Sequence, residues 1–161
     1  MIEVVVEDEG WTAAEPWAEQ LALDAAAATL RHEGRPAGAG VVILLTHDVA
    51  LRALNAQFRG KDAPTNVLSF PALEPNQDHL GDIALAFGVC EREAAEQGKP
   101  LADHLQHLTA HGVLHLLGYD HEEDAEAESM EARERAILAG LGVPDPYAER
   151  GAQGDHGQHG Q

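Results

Sequence analysis

The stretch "GAGVVILLTHDVALRALNAQF", residues 38–58, decides the fold. Turn-forming glycines lead into a continuous apolar run, "GAGVVILLT", which reads as a buried strand. The helix "THDVALRALNAQF" follows at once, opened by Thr46 or Asp48 as its cap, with Leu51, Leu54 and Phe58 on its inner face. Upstream, the β-branched "IEVVVE" (2–7) predicts a strand. "TAAEPWAEQLALDAAAATLRHEG" (12–34) predicts a helix, with Pro16 in its first turn and Gly34 as its stop. Downstream, Gly60, Pro64, Pro71 and Pro75 break residues 59–82 into loop around a short strand, "NVLSF". A strand "GDIALAF", an exposed helix "GVCEREAAEQGK" and an apolar helix "LADHLQHLTAHGVLHLLG" come next. A long acidic helix over residues 120–142 ends the pattern, with Asp120 and Glu123 as its capping box. The order β-α-β-α-β-β-α-α-α specifies an α+β domain, a four-stranded mixed sheet with helices packed on it. Residues 1–147 form this single domain. The glycine- and glutamine-rich tail, 148–161, is expected to be disordered.

A chain of 161 residues can bury a core without staples. Cys90 is its one cysteine, so no intrachain disulfide forms, as suits a reducing compartment. "MIEVVVEDEG" has no basic start, and no segment reaches the ~20 apolar residues of a membrane helix. A cytoplasmic protein is expected. The formal charge of −18 argues against binding nucleic acid over the whole surface. The distribution is uneven, however. Arg52, Arg59 and Lys61 cluster with only Asp62 as a near acidic neighbour. Seven acids (Glu122, Glu123, Asp124, Glu126, Glu128, Glu131 and Glu134) fill the late helix and read as a solvated face.

"HLTAHGVLHLLGYDHEED" (107–124) holds four of the ten histidines. His111 and His115 stand four apart, on one helix face. Gly118 suits the left-handed residue that ends a helix, and His121 follows on the returning chain. Three imidazoles so placed leave a cation open on one side, the layout of a catalytic zinc at a helix end. His104 and His107 read as polar partners behind these ligands. His156 and His159, in the tail, are assigned no role. The spacing is that of the zinc proteases with the motif H-E-x-x-H-x-x-G-x-x-H, but Gly112 stands where they carry the basic glutamate. Peptide cleavage is therefore disfavoured. A phosphodiester instead needs positive charge around its oxygens, which Arg59 and Lys61 can supply. Thr65, Asn66 and Ser69 add polar donors in the same loop.

"HGVLHLLGYDH" (111–121), "FRGKDAPTNVLSFP" (58–71) and "LGDIAL" (80–85) together resemble the bacterial YbeY family, metal-dependent endoribonucleases of ribosomal RNA maturation. The resemblance spans about residues 2–143. It implies one zinc ion per chain, held by His111, His115 and His121, with Arg59 as the functionally important arginine. It also implies cleavage of single-stranded RNA, maturation of the 16S rRNA 3′ end and quality control of ribosomes. The implied partners are single-stranded rRNA and the small ribosomal subunit with its assembly factors. In the mechanism that follows, His111 and Arg59 are the catalytic residues: His111 holds zinc and Arg59 stabilises the phosphoryl charge. Arg52, Lys61, Thr65, Asn66 and Ser69 hold the strand. Asp120 reads as the cap of the next helix rather than as a base, Asp82 at a strand start is an equally open candidate, and histidine ligands alone would also suit nickel, copper or iron. A metallopeptidase and a non-catalytic assembly factor with structural zinc are the alternatives.

Overall fold

The computed structural model describes residues 1–36, 38–72, 79–119 and 123–147. The elements in chain order are β1 (Ile2–Val6), α1 (Gly10–Ala14), α2 (Ala18–His32), β2 (Gly40–Thr46) and α3 (Asp48–Arg59). Then come β3 (Val67–Pro71), β4 (His79–Ala86), α4 (Phe87–Gln97), α5 (Leu101–Leu116) and α6 (Asp124–Gly140). The expected tail, residues 148–161, lies outside the described residues.

The strands form one sheet in the order β1-β2-β4-β3. β2 lies parallel to both β1 and β4, while β3 runs antiparallel to β4 and forms an edge. β2 is apolar on both faces because both are covered. Val41, Ile43 and Leu45 join Ile83 and Leu85 of β4 in a core with α2 and α5. On the opposite face, Leu44 meets Leu51 of α3, Leu68 and Ala84. This is the expected mixed sheet.

Several local expectations shift. The helix expected over 12–34 is two helices. Glu15 precedes Pro16 and is extended (φ −141°, ψ 96°), the conformation a following proline imposes, so α1 ends there. His47, rather than Thr46 or Asp48, caps α3: its Nδ1 accepts from the Ala50 amide at 3.1 Å. Phe58 is 58% exposed rather than inward-facing, and sets its ring edge on Phe70 at 5.4 Å. Asn55, four residues after Leu51, takes the buried place and ties down the next loop through Ala63 O (3.0 Å). α6 starts at Asp124 with Glu123 as its cap residue, and the Glu123 side chain makes no capping bond. Asp120 itself lies outside the described residues.

Candidate active site: a histidine pair facing a cationic cleft

α5 crosses beneath the β3 edge and ends in the turn predicted at Gly118 (φ +101°). The Gly118 amide bonds His115 O and the Tyr119 amide bonds Leu114 O, the paired closure of a Schellman turn. One turn inside this end, the His111 and His115 rings stand 4.6 Å apart, with their Nε2 atoms 3.1 Å from each other. Their Nδ1 atoms are already engaged. His115 Nδ1 lies 2.9 Å from the Tyr119 carbonyl, which can only accept, so this nitrogen carries the proton. His111 Nδ1 lies 2.7 Å from Glu134 Oε2. Burial opposes ionisation of Glu134, but the hydrogen bonds from His107 and His111 outweigh it and hold the carboxyl well below the ordinary carboxylate range. That carboxylate also accepts, and a proton on His111 Nδ1 satisfies it. With both Nδ1 atoms protonated, the two Nε2 atoms point at each other and are placed to share a cation. Ligands about 2.0–2.1 Å from one tetrahedral zinc lie roughly 3.3 Å apart, close to the spacing seen. The donor set fits the metal. Among the described residues no three metal-ligating side chains gather at one point. The third expected ligand, His121, lies outside those residues.

Glu134 departs from the sequence expectation. It was read with six other acids as solvated, yet it is 1% exposed. Its other oxygen takes His107 Nε2 at 2.8 Å and the Tyr147 hydroxyl. His107 thus stands behind His111, one carboxylate removed. Burial pushes the His107 imidazole down, against the pull of Glu134. His104 is 3% exposed and bonds Glu93 at 2.8 Å. The signal for Glu134 was present in the sequence. Met130, Glu134, Ile137 and Leu138 share the i, i+4, i+7, i+8 stripe that α6 buries, so Glu134 occupies a core position. Tyr147 had no comparable signal, and the Tyr119 hydroxyl acts through a contact 86 residues away in sequence.

A cleft of about 890 Å³ opens over the histidine pair. It gathers His111 and His115 with Arg59, Lys61, Thr65, Asn66 and Ser69, all of them singled out from sequence. No aspartate or glutamate is among its described lining residues. On a chain of charge −18, that makes this cleft a local exception. A second cleft, of about 910 Å³, sets Glu93, Glu96, Asp103 and Asp145 against Lys99 and is unsuited to an anion. Arg59 spends one N–H on the Ser69 carbonyl of β3 (3.0 Å), which fixes the guanidinium at the rim. Ser69 is buried and donates its hydroxyl to Gly112 O (3.0 Å), and Asn66 donates to Glu93 (3.0 Å). Both are held by the protein itself. Arg52 is not among the lining residues; it pairs with Asp62 at 2.8 Å on the exposed side of α3. Asp82 pairs with Phe70 and shares its sheet face, the one α3 covers, so it points away from the histidines. It is excluded as the base.

Gly112 has a packing reason. A Cβ there would lie 3.0 and 3.1 Å from the Ile83 side chain and 3.2 Å from Ser69 Oγ. α5 therefore sits so close to the sheet that even a Cβ would need Ile83 or Ser69 to give by a few tenths of an ångström, which disfavours the protease glutamate at this position. Gly112→Ala is expected to cost about 1–2 kcal/mol, overpacking exceeding the helix-propensity gain of roughly 1 kcal/mol. Urea unfolding measures it.

The titrating groups around α5 set an acid limit. Burial lowers the His107 pKa, so the folded state resists a proton that the unfolded chain takes up below about pH 6.5. Burial of Glu93 opposes ionisation, but its hydrogen bonds to His104 and Asn66 prevail and lower its pKa. Glu33 is lowered in the same way: Tyr119, His32 and Arg133 overcome its burial. Such carboxylates stabilise the fold above their unfolded pKa of about 4.3, and that contribution is lost as pH falls through the folded value. Stability of the metal-free chain is expected to decline first below about pH 6.5 and again below about pH 4.3. Glu93→Gln should flatten the second limb in urea titrations run across pH.

Fold and cleft together define a class: an α+β domain that sets a histidine pair against a cationic groove suited to an anionic group. The family model described as "Endoribonuclease YbeY" matches residues 5–142. A Rhodopseudomonas palustris (strain BisB5) protein named Endoribonuclease YbeY is 53% identical, over 92% of this chain and 82% of its own. One of the same name from Azorhizobium caulinodans is 52% identical, over 91% of this chain and 96% of its own. The solution structure of TM1509 from Thermotoga maritima superposes with a TM-score of 0.61 at 28% identity, covering 99% of this chain and 100% of that one. The chain belongs to the YbeY endoribonuclease family. No helix among the described residues is long and apolar enough to cross a membrane.

Proposed function

We propose that this chain is a single-strand-specific endoribonuclease that uses one zinc ion, held by His111, His115 and His121, to mature the 3′ end of 16S rRNA and to remove defective ribosomes. The observation that carries this reading is the meeting of two inward-facing imidazole nitrogens with a cleft that has Arg59 and Lys61 and no described acidic side chain. When bound, the ion supplies Lewis-acid charge at the phosphodiester. Arg59 keeps four of its five N–H donors beyond the bond to Ser69 O, and these stabilise the charge building on the phosphoryl oxygens. Lys61 and Thr65 hold the strand along the cleft. Ser69 and Asn66 shape its floor, since each is bonded within the protein. Arg52 serves the approach of RNA from outside the cleft. The narrow cationic zone explains how an acidic protein takes a polyanion: the groove attracts it, while the net negative charge of the chain disfavours binding over the surface as a whole. The small ribosomal subunit with its assembly factors, in the cytoplasm, is the setting of this reading.

The test uses a labelled single-stranded RNA, zinc-loaded protein, a chelator and Arg59→Ala. Cleavage is expected to stop with chelator and to fall about 100-fold in Arg59→Ala, as when one charge-stabilising donor is removed. Zinc content should be unchanged in that variant. A cyclic phosphate at the new end would assign the first attack to the 2′-hydroxyl. Cleavage that survives both treatments would overturn the reading, as would unfolding on chelation, which belongs to a structural zinc.

A further inference from the structure

His115 is aimed by a carbonyl, and that carbonyl belongs to a residue gripped from two distant parts of the chain. The Tyr119 hydroxyl donates to Glu33 Oε1 at 2.6 Å. Glu33 is the residue that closes α2, and its side chain is 7% exposed. Arg133 of α6 donates to Glu33 Oε2 at 3.1 Å and lays its guanidinium over the Tyr119 ring, 4.7 Å from the centroid. Two elements far apart in the sequence, α2 and α6, therefore close on one tyrosine. Its ring is held at the tip by a carboxylate and on its face by a cation, while its carbonyl takes His115 Nδ1 at 2.9 Å.

We propose that Glu33, Tyr119 and Arg133 form a clamp whose task is to orient His115, with Glu33 and Arg133 as positioning residues for a zinc ligand they never touch. The inference rests on the zinc reading above. An imidazole rotates about two bonds, and only a fixed acceptor on Nδ1 keeps Nε2 aimed at its neighbour. The Tyr119 amide is fixed by the helix-end bond to Leu114 O, but that bond leaves the ring to swing. Pinning the ring removes the freedom of the peptide that carries the acceptor. The geometry also accounts for an arginine in the middle of the acidic α6: it neutralises Glu33 and covers the tyrosine at once.

The test measures zinc affinity by competition with a chromophoric chelator, together with the visible spectrum of the cobalt(II)-substituted protein. Neither readout needs RNA. Tyr119→Phe removes only the hydroxyl, and Glu33→Ala removes its acceptor. Each is expected to weaken zinc binding about tenfold, the low end for partners behind a ligand, and to alter the cobalt bands. Glu33→Gln keeps an acceptor for the hydroxyl and should recover most of the affinity. Leu51→Ala, in the core on the opposite sheet face, controls for stability: it should lower the unfolding midpoint and leave zinc affinity unchanged. Wild-type affinity in both Tyr119→Phe and Glu33→Ala would overturn the clamp, and so would an equal loss in Leu51→Ala. If the wild-type chain itself takes up no zinc, the metal reading falls, and the clamp with it.

Discussion

His111→Ala is expected to reduce cleavage of single-stranded RNA by about 1,000-fold or more while the fold persists. Lewis-acid stabilisation of a phosphoryl transition state is worth several kcal/mol, and roughly 4 kcal/mol corresponds to a factor of about 1,000. The variant removes one of the two nitrogens that meet at 3.1 Å. It also leaves Glu134 with His107 and Tyr147 as donors, so the buried carboxylate is not orphaned. Alanine is the strongest helix former, so α5 should form normally. Circular dichroism should match wild type, and zinc content should drop to background. This separates His111→Ala from Arg59→Ala, in which zinc stays and cleavage falls. Near-normal cleavage in His111→Ala would dismiss the histidine site as the catalytic centre.

The second large effect belongs to a residue that touches no substrate. Glu134→Ala is expected to destabilise the metal-free chain by about 3–5 kcal/mol, the usual cost of removing one partner from a buried charged network. Three donors lose their acceptor together: His107 Nε2, His111 Nδ1 and the Tyr147 hydroxyl. Zinc affinity should fall a further 10–100-fold, because His111 loses the carboxylate that fixes its tautomer and its aim. Glu134→Gln keeps one acceptor oxygen and should lie between the two. Urea unfolding and chelator competition read the two effects separately. An alanine variant as stable as wild type would show that the rings are held by other contacts.

The outcome for each residue follows from the range of the force that places it. Paired histidines four apart on a helix converge because helical geometry leaves no choice, and the structure brings them together. Gly118 closes the helix for an equally local reason, its positive φ. Phe58 is exposed and Asn55 buried because the face that α3 turns to the sheet, rather than hydrophobicity alone, sets which side chains are covered. Glu134 is the sharpest case. Composition assigned it to a solvated acidic run, but its place on the α6 stripe put it beneath the histidines. A carboxylate can occupy a core position when ring N–H donors already wait there, and those donors lie 23 and 27 residues away in sequence.

The sequence by itself determined the alternation of strands and helices, the mixed α+β class, the histidine pair and the stretch of chain that brings the cations. Each depends on periodicity or turn chemistry within a few residues, where backbone geometry dominates. Only the tertiary structure decided which carboxylate supports His111, why a side chain at Gly112 would crowd Ile83 and Ser69, that Asp82 faces away and that the described lining of the Arg59 cleft holds no acid. These depend on which surfaces α5 and α6 meet after the sheet has assembled, and burial can reverse the preference of a charged group only once that packing exists.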